Sequence, residues 1–182
     1  MNGACLHTPR ALIRPFEAGD ASRLLEYRCR NRTHLAPWEP LREEAYFTLE
    51  ACLARIGEAH ALARADQGYP FAVLAPDETR LLACFNFANV VRGAFQACHL
   101  GYSIDAREQG KGLMAEALGA ALAWAFGELG LHRVMANYMP RNARSARLLA
   151  GLGFQREGYA PRHLKIAGVW EDHVLTAKLR AD

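Results

Sequence analysis

Cysteine is sparse and unpatterned in this 182-residue chain. Cys5, Cys29, Cys52, Cys84 and Cys98 stand far apart, and no two of them form a Cys-x-x-Cys pair. An odd, scattered set argues against a disulfide framework or a zinc site and for reduced thiols in a cytoplasmic protein. Cys84 and Cys98 fall in strand-like runs, where small core residues are expected rather than nucleophiles. No apolar run approaches the length that crosses a bilayer, and the first residues lack the pattern of a secretory leader, so no membrane partner is expected. Charge of one sign is also scarce: 22 basic residues against 19 acidic ones leave a net charge of +3. Without a basic block, direct sequence-specific nucleic-acid binding is not expected. Repeats and low-complexity segments are missing. What is plentiful is apolar: 51% of residues are hydrophobic, enough for one domain over 1–182 with a substantial core.

Periodicity gives the order of elements. Residues 11–16 read as an opening strand, with Asp20 as N-cap of a helix to about 31. Residues 35–40 form a proline-bounded loop, and 42–67, rich in Ala, Leu and Glu, read as one helix ending near Gly68. Strands follow at 71–75, 81–88 and about 95–104, then a helix over 111–128, a strand over 132–138 and a helix over 143–151. Closing strands fall near 154–159, 163–167 and 170–179. Strands mixed with helices, rather than strict alternation, predict a mixed α/β fold whose mixed sheet carries helices on both faces.

The most informative stretch joins a strand to a helix through Arg107-Glu-Gln-Gly110-Lys-Gly112. Two glycines at a helix start remove the Cβ atoms that keep an anion from the backbone. Unpaired N–H groups and the positive end of the helix dipole then face it together. Arg107 and Lys111 flank the pinch, which favours a pyrophosphate site over an ordinary turn. It is no P-loop, because Leu113 stands where Ser or Thr would follow Gly-Lys. Nor is it a clean dinucleotide fingerprint: the loop is preceded by several strands, and no ribose-binding acid stands cleanly about 20 residues on.

This pattern, [Gln/Arg]-x-x-Gly-x-Gly after a strand, resembles the acyl-CoA loop of the Gcn5-related N-acetyltransferases. Downstream, 132–138 leads into Pro140-Arg-Asn142-Ala-Arg-Ser145 and Gly153-Phe154, which resembles that superfamily's second cofactor element. Most members carry tyrosine seven residues after the asparagine; here Leu149 stands there and Ser145 stands at three. That variant is similar to the RimJ/RimL branch, which acetylates N-termini of ribosomal proteins. Leu35-Ala-Pro-Trp-Glu-Pro40 and Asn89-Val-Val-Arg-Gly93 carry the likeness to the ribosomal-protein-alanine type within it. The resemblance implies a central, mostly antiparallel sheet splayed at the cofactor site, acetyl-CoA as co-substrate, and no metal. It also implies the N-terminal segment of a ribosomal protein as partner, with association with the ribosome allowed. The cofactor contacts would come from Ile104, Arg107, Gln109, Gly110, Lys111, Gly112, Leu113, Met114 and Ala115, with Asn142 and Ser145 at the pantetheine.

Several assignments keep a plainer reading beside the functional one. Asn142 can hydrogen-bond pantetheine or simply cap a helix. Ser145 is the candidate proton source for the leaving sulfur, although helix serines often bond back to the preceding turn. His99, two residues before Gly101, is a candidate base, and Glu39 is its rival; no acid near 163–166 supplies the glutamate used elsewhere in the branch. Trp38, Glu39, Arg92 and Tyr138 are expected at the peptide surface, with Trp170 as a further groove candidate. For Trp38, Tyr138 and Trp170, packing is the alternative. Two other functions use the same signals: acetylation of a small amine such as an antibiotic or polyamine, and a non-catalytic acyl-CoA-binding module.

Overall fold

Burial on both faces decides which strands are central. In β3 (Gly68–Leu74), Phe71, Ala72, Val73 and Leu74 are all buried although alternate side chains point opposite ways. Such a strand needs cover on each side, and the protein, seen as a computed structural model describing residues 4–181, supplies it. Met1–Gly3, where the leader expectation begins, and Asp182 lie outside the described residues.

Eight strands form one sheet. They are β1 (Leu6–Thr8), β2 (Ala11–Pro15), β3, β4 (Leu81–Val91), β5 (Ala97–Ile104), β6 (Arg133–Tyr138), β7 (Gln155–Ile166) and β8 (Val169–Leu179). The spatial order is β1-β2-β3-β4-β5-β6-β8-β7. Every neighbouring pair is antiparallel except β5 with β6. Helix α3 (Leu113–Gly127) makes the crossover that this parallel pair requires. On its face Leu113, Leu118 and Leu122 pack with Ile13, Phe71, Val73 and Phe85. Trp124 meets the Phe71 ring edge-on at 5.3 Å, a favoured aromatic geometry. On the opposite face α1 (Ala21–Leu35) and α2 (Leu49–Arg64) bury Leu24, Tyr27, Cys52 and Ile56 against Leu12, Leu74 and Leu81. A short helix, α4 (Ala143–Gly151), follows β6.

The parallel pairing is brief. It runs from Ala97 opposite Arg133 to His99 opposite Met135, and there it stops. Beyond His99 the strands part, so Leu100–Ile104, still paired with β4 on one edge, face a gap on the other. That splay is the main consequence of the topology for the site.

The sequence expectations need four corrections. The 42–67 helix starts only at Leu49, where Thr48 caps it by accepting the Ala51 N–H at 3.2 Å. Before it, Glu44–Phe47 is a 3₁₀ turn held by Arg28 over the Tyr46 ring (3.8 Å) and Arg32 over Phe47 (4.4 Å). The 35–40 loop is shorter than expected, because α1 continues to Leu35 and Ala36–Trp38 is a 3₁₀ turn. Asp20 holds the N-cap position of α1 but caps nothing there; its carboxylate accepts the Glu17 N–H (2.8 Å) and pairs with Arg14 (2.7 Å). The two strands expected at 154–159 and 163–167 are one, β7, with a register shift between Ala160 and Leu164. Among the described residues no helix is long and apolar enough to cross a membrane.

Candidate active site

The parting of β5 and β6 opens into a cleft of about 1250 Å³. One end is the loop from β5 to α3, and its beginning is clamped from below. Burial opposes charge on Asp105, yet the Arg107 N–H (2.9 Å) and the Arg30 guanidinium (2.7 Å) hold its carboxyl below the usual range. Asn31, fully buried in α1, accepts the Ala106 N–H at 2.9 Å. Two left-handed residues then turn the chain, Gly110 (φ 74°) and Gly112 (φ 77°). Gly112 is the N-cap of α3 and has no side chain to satisfy the first turn, so these N–H groups remain for a ligand.

Gln109, Gly110, Gly112, Leu113, Met114 and Ala115 line the cleft, as does Ile104. Arg107 and Lys111 do not: Lys111 pairs with Glu108 at 3.1 Å, and its carbonyl is held by Arg10 (2.6 Å). Arg144 and Arg147 of α4 line the cleft instead, and Arg144 bonds the Gln109 amide. The sequence signal for them is only that α4 follows the second expected cofactor element.

On the far side of the splay, Asn142 caps α4 by accepting the Ser145 N–H at 3.1 Å. Its cap uses Oδ1, and among the described residues nothing takes the Nδ2 donor, so capping and ligand binding are compatible. Ser145 lines the cleft, whereas Leu149 is buried in the core and Leu148 is the cleft residue of that turn. Facing Ser145 across the splay is Tyr102, which sequence reasoning missed. Burial pushes its phenol up to about 12, and the nearby Ser145 hydroxyl pulls the other way. A strand tyrosine alternating with core positions carries no signal of its own; only the spatial meeting with Ser145 marks it.

Trp38 and Glu39 line the other end. The Arg141 guanidinium stands over the Trp38 ring at 5.4 Å and pairs with Glu171 at 2.9 Å. Glu39 pairs with Arg42 at 3.2 Å, and its carbonyl accepts the Ala167 N–H at 3.0 Å, which ties the turn to the β7–β8 hairpin. The floor between the ends is β4 and β5, where Tyr27 and Ser103 share a hydrogen bond at 2.9 Å and Ser103 meets the Cys84 thiol at 3.2 Å. Cys84 thus lines the cleft while packing against the core under α1 and α2, whereas Cys98 is buried in the core on the α3 side. Burial pushes its thiol up, which leaves it protonated and a poor nucleophile.

Besides Arg107 and Lys111, three expected site residues fall outside the cleft lining: His99, Arg92 and Tyr138. The His99 Nδ1 is buried without a partner, and burial together with nearby His163 pulls its pKa down. Arg92 grips both oxygens of Asp66 at 2.6 Å and the Leu129 carbonyl at 2.8 Å. Tyr138 packs on the α3-side core, and Trp170 stands exposed on β8. Among the described residues no group of three His, Cys, Asp or Glu side chains is disposed to hold a metal ion.

Residues 10–155, which hold the parting sheet and the glycine-led helix, match the Acetyltransferase (GNAT) domain. The chain belongs to this family. It is 47% identical over 177 residues to the [ribosomal protein uS5]-alanine N-acetyltransferase of Escherichia coli, spanning 97% of this chain and 91% of that one. The crystal structure of a ribosomal-protein-S5-alanine acetyltransferase from Vibrio fischeri superposes with a TM-score of 0.94 at 40% identity, covering 98% of both chains. Mycobacterium smegmatis RimJ in complex with CoA-disulfide superposes with a TM-score of 0.89 at 28% identity, over 97% of this chain and 86% of that one. The RimJ/RimL resemblance therefore holds, and the protein is an N-acetyltransferase with the expected mixed, mostly antiparallel sheet.

Proposed function

We propose that this GNAT protein transfers the acetyl group of acetyl-CoA to the N-terminal α-amine of a ribosomal protein, with alanine as the residue modified. The observation that carries this reading is the likeness, along nearly the whole chain, to the Escherichia coli enzyme named for that reaction. The cleft supports it. Open N–H groups at the start of α3, with Arg144 and Arg147 close by, suit a pyrophosphate, and the splay leaves strand edges for an extended pantetheine arm. Acetyl-CoA supplies a thioester already activated for attack by an amine. Ile104 and Asn142 would orient it, and the Ser145 hydroxyl, backed by Tyr102, would donate toward the leaving sulfur.

The acceptor enters from the Trp38 end. An α-amine has a pKa near 8 and lysine one above 10, so a chain end is the amine that a mild base can deprotonate. His99, kept neutral by burial, and Glu39 in the cleft wall are the two candidates for that base. Ribosome association and a cytoplasmic location belong to this same reading.

Thiol release from acetyl-CoA, followed with peptides beginning Ala, Ser, Met and N-acetylated Ala, tests it. Turnover is expected with free Ala, with Ser next, and none with the blocked peptide. Refusal of every peptide together with turnover of a polyamine or an aminoglycoside would overturn it.

A further inference from the structure

Two features of the cleft floor have no structural explanation. The Asn86 Oδ1 is buried and without a hydrogen-bond partner, in a residue that lines the cleft. Its register explains why: Pro70 lies opposite it on β3 and Gly101 opposite it on β5, and neither has a side chain that donates. A buried acceptor left unmade is costly, so its presence on a ligand-facing wall calls for a donor from the ligand. The second feature is Gly101 itself. It shows no left-handed φ, and a Cβ built on it would meet nothing within 4 Å. Glycine weakens a strand interior, and neither backbone conformation nor packing asks for it here. What remains is the open space above it, on the cleft side.

We propose that Asn86 and Gly101 form the seat of the acceptor amine: the α-amine of the incoming chain end lies over Gly101 and donates an N–H to Asn86 Oδ1. The seat rests on the proposed N-terminal acetyltransferase reading and adds a positioning residue to it. An amide is the fitting acceptor. The reacting species is the neutral amine, and a carboxylate in the same place would favour the ammonium. An amide oxygen holds the N–H without adding a charge that opposes deprotonation. The neighbouring hydroxyls are already committed to one another, Tyr27 with Ser103. Other titratable or charged groups in the cleft wall on this side are Cys84 on β4, Tyr27, Arg28 and His34 on α1, Arg55 and Glu58 on α2, and Glu39, Arg42 and Tyr46 between those helices. His99 stands on the same face of β5, opposite Ala88.

The test is steady-state kinetics with an alanine-led peptide at saturating acetyl-CoA, on the wild type, Asn86→Ala, Asn86→Asp and Gly101→Ala. Asn86→Ala and Gly101→Ala are expected to raise the peptide KM about tenfold, with acetyl-CoA affinity within about twofold of wild type. Asn86→Asp is expected to move the acidic limb of kcat/KM upward by about one pH unit, a shift that lost packing does not produce. Unchanged peptide KM and an unmoved limb would overturn the seat, as would parallel losses of melting temperature and acetyl-CoA affinity. If the wild type refuses the peptide, the functional reading fails, and the seat is judged by binding. CoA-loaded protein is then titrated with alanine amide and N-acetylalanine amide. A preference for the free amine that Asn86→Ala abolishes supports the seat, and equal binding by the wild type overturns it.

Discussion

The two ends of the cleft are built on different plans. At the α3 end the ligand faces main-chain N–H groups from one continuous loop, fixed by buried Asp105 and Asn31 beneath it, with Arg144 and Arg147 beside them. At the Trp38 end the surface is assembled from side chains on α1, the 36–38 turn, β4 and β5, and hydrogen bonds such as Tyr27 with Ser103 hold those pieces in register. A main-chain site ignores most side-chain changes but cannot tolerate a wrong φ. A side-chain site has the reverse sensitivities. Gly112→Val should therefore have the largest effect on cofactor binding of any single change along the cleft. A β-branched residue at φ 77° carries strain on the order of 1–3 kcal/mol and also places methyls where the anion approaches. Acetyl-CoA affinity should fall about 100-fold by calorimetry. Lys111→Ala, one residue away but turned to Glu108, should change it less than about threefold, and an equal loss in the two variants would break the contrast.

Between the two ends sits the hydroxyl pair, which lets the reacting centre be separated from the binding surfaces. Ser145→Ala should lower kcat by about 100-fold, in the range for loss of a positioned proton donor, while acetyl-CoA affinity stays near wild type. Tyr102→Phe should have a smaller effect, about tenfold, because Tyr102 acts through Ser145. Presteady-state quench measurements of the chemical step, beside binding of CoA, give both numbers. A Tyr102→Phe loss exceeding that of Ser145→Ala would make the phenol the donor.

What can be read from sequence follows the same division. The cradle is local, so Gly110, Gly112 and the helix behind them are legible as a strand–loop–helix pattern. Asn142 and Ser145, three residues apart on one short helix, are legible for the same reason. Tyr102 and Asn86 are not, because each is one polar or aromatic residue in an alternating strand. Their meaning comes from partners far along the chain, Ser145 for one and Pro70 and Gly101 for the other. Arg107 and Lys111 mislead: charge beside the glycines suggests contact, whereas the nearby arginines that line the cleft are Arg144 and Arg147. The failed helix start at 42–48 has a tertiary cause, since α1 arginines capture Tyr46 and Phe47 before α2 begins.

The histidines sharpen the substrate end further. Burial lowers the pKa of both His99 and His173, with His163 adding repulsion, so the folded state disfavours their protonation. In the unfolded chain both titrate near 6.5. Below that pH the unfolded state binds more protons than the folded one, so stability is fully present above about 6.5 and is lost as pH falls toward the depressed folded values. Chemical denaturation at pH 5 and pH 7.5 should show a stability difference that His99→Gln reduces. The same substitution should remove part of the acidic limb of kcat/KM if His99 is the base, and leave that limb intact if Glu39 is.

Arg92 gives the smallest effect and the cleanest test of where the substrate surface ends. By sequence it is a candidate for gripping the peptide. In the structure its guanidinium is already spent on Asp66, which is held below the usual carboxylate range by that contact, and on the Leu129 carbonyl. The pair joins the end of α2 to the β4–β5 connection and to the end of α3, well along the sheet from Trp38. Both side chains are about one-third exposed (35% and 36%), so the bidentate geometry should contribute only about 1 kcal/mol. Arg92→Ala should lower the melting temperature by about 2–4 °C while peptide KM stays within about twofold. A large rise in KM with the melting temperature unmoved would extend the substrate surface around the sheet edge and remove the distinction between the two ends.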